Sequence, residues 1–153
     1  MMRAAFFSVL VALFSCDQKR IIEEYKNIPN NSWAVGDTIR FPLSIIAPDT
    51  VNFYCNIRNN LDYPFSRIFI HYTLCDSSGR ILGKAMKERY LFDAKTGEPL
   101  GQSGVGDVFD HQLFLQKMRV AKGSYQLKIA HKMRSDALSG ILDVGVRVEK
   151  GGK

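Results

Sequence analysis

The chain has 153 residues and a formal charge of +6, from 21 Lys and Arg against 15 Asp and Glu, with 46% hydrophobic residues. That length buries one core of ordinary size and leaves little room for a second domain. The cations (Lys84, Lys87, Arg89, Lys117, Arg119, Lys122, Lys128, Lys132, Arg134) are scattered with no block of five or six, which excludes a nucleic-acid-binding arm and makes no nucleic acid the expectation.

The first element in chain order is an export signal. Arg3 supplies a positive start, and Ala4 to Phe14 run apolar with only Ser8 interrupting, which suits a secretory core of about 7–15 residues. A bilayer span needs about 20 apolar residues, and Asp17-Gln18-Lys19-Arg20 ends the run too early. Leu13-Phe14-Ser15-Cys16 has a small residue before a cysteine and is similar to a lipoprotein signal peptidase site, with Phe14 bulkier than usual. The Cys16 sulfur would take a diacylglycerol and its freed amine a further acyl chain. At about 0.8 kcal/mol per buried methylene, two or three chains anchor a protein stably. Residues 1–15 are therefore read as a lipoprotein signal peptide, with Cys16 as the membrane anchor.

Asp17 to Asn31 is polar and holds Pro29-Asn30-Asn31, with only Ile21 to Tyr25 able to pair or coil. Residues 16–36 are read as a lipidated tether, and residues 37–150 as the folded domain. Trp33 is a core anchor near its start. From Asp37 onward, runs rich in Val, Ile, Phe, Tyr and Thr alternate with turn signals. The predicted strands are Thr38 to Ile46, Val51 to Arg58, Arg67 to Leu74, Ile81 to Phe92, His111 to Arg119, Ser124 to Met133 and Ile141 to Glu149. Pro42 marks the first of these as an edge. Seven short strands over this length predict an all-β fold, an antiparallel β-sandwich.

Several kinds of chemistry find no support. Gly101 to Asp107 is glycine-rich, but strand-like residues come after it where a phosphate loop would open a helix, so it is read as turns. Asp107, Asp110 and His111 lie close in sequence, yet His71 and His131 fall on other strands, and no metal site or other cofactor is expected. Ser103 lacks a Gly-x-Ser-x-Gly elbow and no carboxylates pair evidently, so catalytic residues are not assigned. Cys55 shares its phase with Val51, Phe53 and Ile57, while Cys75 is one step out of phase with Leu74, an arrangement that argues against a disulfide between them.

The last strand alternates cleanly. Leu142, Val144, Val146 and Val148 share one face, and Asp143, Gly145, Arg147 and Glu149 the other. The polar face reads either as an ordinary solvated surface or as a partner-docking one, where Gly145 admits close approach of another chain. Asp143, Arg147 and Glu149, with Asp107 in the 96–110 loop, are the candidate partner contacts.

These residues together resemble the GldH gliding-motility lipoproteins of Bacteroidetes-type bacteria. The resemblance rests on Cys16, the Asn31-Ser32-Trp33 entry with Asp37 and Phe41, Tyr63-Pro64-Phe65-Ser66, Gly104-Val105-Gly106-Asp107, and above all Leu138 to Glu149. A tryptophan expected near Leu100 or Gln102 is absent. The resemblance implies an envelope lipoprotein required for gliding and associated with the type IX secretion apparatus. It implies no enzyme activity and no small-molecule substrate. The lack of an acidic run after Cys16 points to the outer membrane, facing the periplasm. The alternative is a glycan- or ligand-binding sandwich using Tyr54, Tyr72, Tyr90 and Tyr125, several of which alternation assigns to the core.

Overall fold

The structure, a computed structural model, describes residues 17–152; residues 1–15, read above as a signal peptide, and Cys16 lie outside them. The described residues hold eleven strands: β1 (Arg20–Asn27), β2 (Ser32–Ala34), β3 (Ile39–Ile45), β4 (Asp49–Asn60), β5 (Arg67–Asp76), β6 (Ile81–Tyr90), β7 (Gln102–Ser103), β8 (Val108–Val120), β9 (Gly123–His131), β10 (Ala137–Ser139) and β11 (Ile141–Lys150). They form an antiparallel sandwich. One sheet has the order β1-β11-β4-β8-β7 and the other β3-β9-β5-β6, with β10 and β2 pairing separately.

Strict alternation builds the core. Val51, Phe53, Cys55 and Ile57 of β4 and Val144, Val146 and Val148 of β11 are buried from one sheet, and Ile68, Ile70, Tyr72 and Leu74 of β5 from the other. A one-residue slip would turn any of these sets to solvent, so burial itself specifies the register. All seven predicted strands are present, and β3 with Pro42 is an edge strand. Tyr72 is a core residue at 3% exposure, whereas Tyr90 is exposed.

The tether is corrected by the structure. Within residues 16–36, β1 pairs with β11 from Arg20 opposite Glu149 to Asn27 opposite Asp143, and β2 pairs with β10. The folded part therefore begins by Arg20 and not at residue 37. An edge strand with half-buried side chains carries no apolar alternation, which is why its sequence reads as a spacer. Between β1 and β2 the chain reverses through a 3-10 turn, Pro29–Asn31, where Asn30 and Asn31 take left-handed φ values of 55° and 51°, a region asparagine tolerates better than most residues. Trp33 fixes the start of the next segment: it is 1% exposed, donates its indole N–H to the Asp37 carbonyl at 2.9 Å, and meets His131 edge-on at 5.3 Å.

Both described cysteines are free and buried. Cys75, out of phase by sequence, stands opposite Gln126 of β9 while its neighbour Leu74 stands opposite the core residue Leu127, and it is buried at the strand end beside a register shift between Leu74 and Cys75. The glycine-rich 96–110 segment folds back as a hairpin, with β7 against β8 and the Gly104 N–H donating to the Val108 carbonyl at 2.8 Å.

Candidate functional site

The outer face of the five-stranded sheet is a polar surface arranged in cross-strand rows. In one row Tyr25, Gly145, Asn56 and Gln112 stand opposite one another on β1, β11, β4 and β8. The next holds Glu23, Arg147, Tyr54 and Phe114, and a third holds Asn27, Asp143, Arg58, Asp110 and Gln102. Neighbours in a row are close enough to interact directly, and they do.

In the first row the Tyr25 ring lies across Gly145 and its hydroxyl accepts from Asn56 Nδ2 at 3.0 Å, while Gln112 Nε2 donates to Asn56 Oδ1 at 3.3 Å. In the third, Arg58 donates to Asp110 at 2.8 Å and to Asp143 at 3.2 Å, and its guanidinium stacks 5.2 Å from the Tyr25 ring centre. In the second, Arg147 bridges three carboxylates, those of Asp17, Glu23 and Glu149, while Tyr54 and Phe114 pack edge to face at 5.6 Å.

The charges are mutually held. Burial opposes the Arg147 charge, but hydrogen bonds to Glu149 and Asp17 more than offset it and raise its pKa. The hydrogen bond from Arg147 lowers the Asp17 carboxyl below its ordinary value. The hydrogen bond to Asp110 is the main cause of the raised Arg58 pKa, and burial is the main cause of the raised Tyr25 pKa.

Where β7 returns along β8, this face forms a cleft of about 360 Å³ lined by Tyr25, Asn56, Arg89, Gln102, His111 and Gln112 among others. His111 at its wall is 3% exposed, and neither ring nitrogen has a hydrogen-bond partner. Burial, with Arg89 nearby, lowers its pKa to about 4, so the ring is neutral near pH 7. Gly101 makes room for it, since a β-carbon there would stand 2.7 Å from His111 Nε2.

The structure thus brings Asp143, Arg147 and Glu149 onto one face and places Asp107 elsewhere, exposed in the β7–β8 turn. It also fills the space over Gly145 with the chain's own Tyr25. Glu23, Tyr25, Asn56, Arg58 and Gln112 were not singled out by sequence. The polar phase of β4, Asn52, Tyr54, Asn56 and Arg58, was the signal that could have found two of them. No group of three metal-ligating side chains gathers among the described residues.

The GldH lipoprotein family model matches residues 20–148. The chain is 30% identical over 148 residues to the gliding motility lipoprotein GldH of Flavobacterium johnsoniae, covering 92% of this chain and 91% of that one. It is 33% identical over 165 residues to the gliding motility lipoprotein GldH homolog of Christiangramia forsetii, covering 97% and 98%. A family 35 carbohydrate binding module from Clostridium thermocellum is 10% identical with a TM-score of 0.36, covering 75% of this chain and 95% of that one, a likeness too weak to carry any function across.

Proposed function

The chain belongs to the GldH lipoprotein family, and from that premise we propose a gliding-motility lipoprotein, anchored in the cell envelope through lipid on Cys16, that acts without catalysis. It serves as a component or assembly factor of the gliding and type IX secretion apparatus, at the periplasmic face of the outer membrane. The observation that carries the non-catalytic reading is the outer face itself. Its charged groups are spent on one another, with Arg147 bridging three carboxylates and Arg58 two. Such a network holds a surface in one shape, which favours recognition by lowering the ordering cost of binding. Partners from the envelope would meet Asp143, Arg147 and Glu149 on this face, beside the half-exposed Phe114, and Asp107 on the far turn. The lipid confines the domain to a surface and raises its effective concentration there.

The test is a clean deletion scored for colony spreading and for secretion of type IX cargo, complemented by wild type and by Cys16→Ala. Loss of either phenotype, restored only by the form that takes up labelled palmitate, is the expected result; unchanged spreading and secretion would overturn it.

One observation favours a second reading, a glycan-binding role: the cleft sets the Tyr25 ring among the amides of Asn56, Gln102 and Gln112. Binding on a glycan array that disappears with Asn56→Ala would move the assignment to it.

A further inference from the structure

The lipid anchor leaves the fold with no spacer. Cys16 directly precedes Asp17, about 3.8 Å away from Cα to Cα. The Asp17 carboxylate is held by Arg147, and the Lys19 carbonyl accepts the Lys150 N–H at 2.8 Å. The bilayer must therefore meet the end of the sandwich where β1 begins and β11 finishes. The register places β4's start, β8's end and the turn into β9 at that same end, since Asp49 stands opposite Val120 and Ile45 opposite Gly123.

That end is basic. Lys19, Lys117, Arg119, Lys122 and Lys150 are exposed there and make no ion pair among the described residues. Its carboxylates are largely engaged: Asp17 and Glu149 by Arg147, and Asp76 by Arg80. At its tip Ile46 is 81% exposed, with Ile81, the first residue of β6, 52% exposed at the same end. The opposite end has the reverse balance, with Lys95, Lys132 and Arg134 outnumbered by Asp62, Asp93, Glu98, Asp107 and Asp136.

We propose that the end bearing Lys19, Lys117, Arg119, Lys122 and Lys150 rests directly on the anionic lipid surface that holds the Cys16 anchor, with Ile46 at headgroup depth. This rests on the lipidation of Cys16 put forward above. Cations within a Debye length of about 8 Å feel such a surface, and an exposed aliphatic side chain beside them enters the interfacial layer. Because the lipid already holds the domain at the surface, weak contacts suffice to orient it. The polar face of the five-stranded sheet then stands sideways to the membrane, open to neighbours in the same plane.

The test uses the full lipoprotein purified from cells and reconstituted into vesicles of phosphatidylethanolamine and phosphatidylglycerol that carry a nitroxide headgroup lipid. Bimane is attached at Ile46→Cys or, at the opposite end, at Leu61→Cys; the native Cys55 and Cys75 are buried and stay unlabelled. The Ile46 label is expected to be quenched at least about threefold more than the Leu61 label, the ratio falling with added salt and in Lys117→Glu/Lys122→Glu. Equal or reversed quenching in a lipidated protein overturns the orientation alone. An N-terminal peptide without diacylglycerol, read by mass spectrometry, overturns the anchor and the orientation with it. Protection of the Ile46 label in cells but not on vesicles assigns this end to a protein and overturns the lipid contact.

Discussion

The ring of Tyr25 occupies the space that a side chain on Gly145 would need: a β-carbon there would stand 2.7 Å from Tyr25 Cδ1 and 2.8 Å from the Glu24 carbonyl. The absence of a side chain on β11 is thus what lets β1 lay its aromatic ring over the sheet and reach Asn56. Gly145→Ala is expected to destabilise the domain by about 1–3 kcal/mol through overpacking. In a urea-melt double-mutant cycle, Tyr25→Ala recovers part of that loss, because one of the two clashes is removed. Strict additivity would show that the ring is not what excludes the side chain.

Arg147 neutralises three carboxylates at once, and its side chain is only 18% exposed. Arg147→Met leaves Asp17, Glu23 and Glu149 facing one another and is expected to cost about 1–3 kcal/mol at pH 7. The Asp17 carboxyl is lowered in the fold by Arg147, so its contribution is present above its unfolded value and is lost as pH falls through the folded one. The gap between wild type and variant should therefore narrow as Asp17 protonates. A gap that widens in acid would exclude this account.

His111 slopes stability in the same direction, through burial of a ring and not through an ion pair. Its pKa lies near 4 in the fold against an ordinary 6.5, so between those values the unfolded chain binds a proton that the fold refuses. Stability is full above 6.5 and is lost as pH falls toward 4, by roughly 2–3 kcal/mol for this group. His131, also lowered by burial, slopes the same way. His111→Leu removes a ring whose nitrogens have no partner, so near pH 7 it is expected to be tolerated. Thermal melts from pH 7 to 4.5 should show a shallower loss in the variant than in wild type; parallel slopes would rule out His111 as the source.

β1 supplies a whole edge of the larger sheet, opposite Glu149 through Asp143. Deleting residues 17–27 is expected to cost on the order of several kcal/mol, at about 1 kcal/mol for each ladder hydrogen bond lost. It also bares the apolar β11 as a new edge, which invites association between chains. Sedimentation and a urea melt of the deletion read both effects; a removable tether would change neither.

Seven of the eleven strands were determined by sequence alone, because a strand buried on one face must alternate and Val51-Phe53-Cys55-Ile57 or Val144-Val146-Val148 can alternate in only one way. The edge position of Pro42 and the core position of Trp33 came from the same local physics. The four other strands, β1, β2, β7 and β10, are short or lie at an edge and carry no such period, so only pairing with a distant partner makes them strands. The polar face divides along the same line. Asp143, Arg147 and Glu149 were legible as one face of one strand, whereas Asp17, Glu23, Tyr25, Asn56, Arg58 and Gln112 come from segments up to 130 residues away from Arg147 in the chain. Their meeting depends on sheet order and register, which are long-range properties that tertiary packing decides.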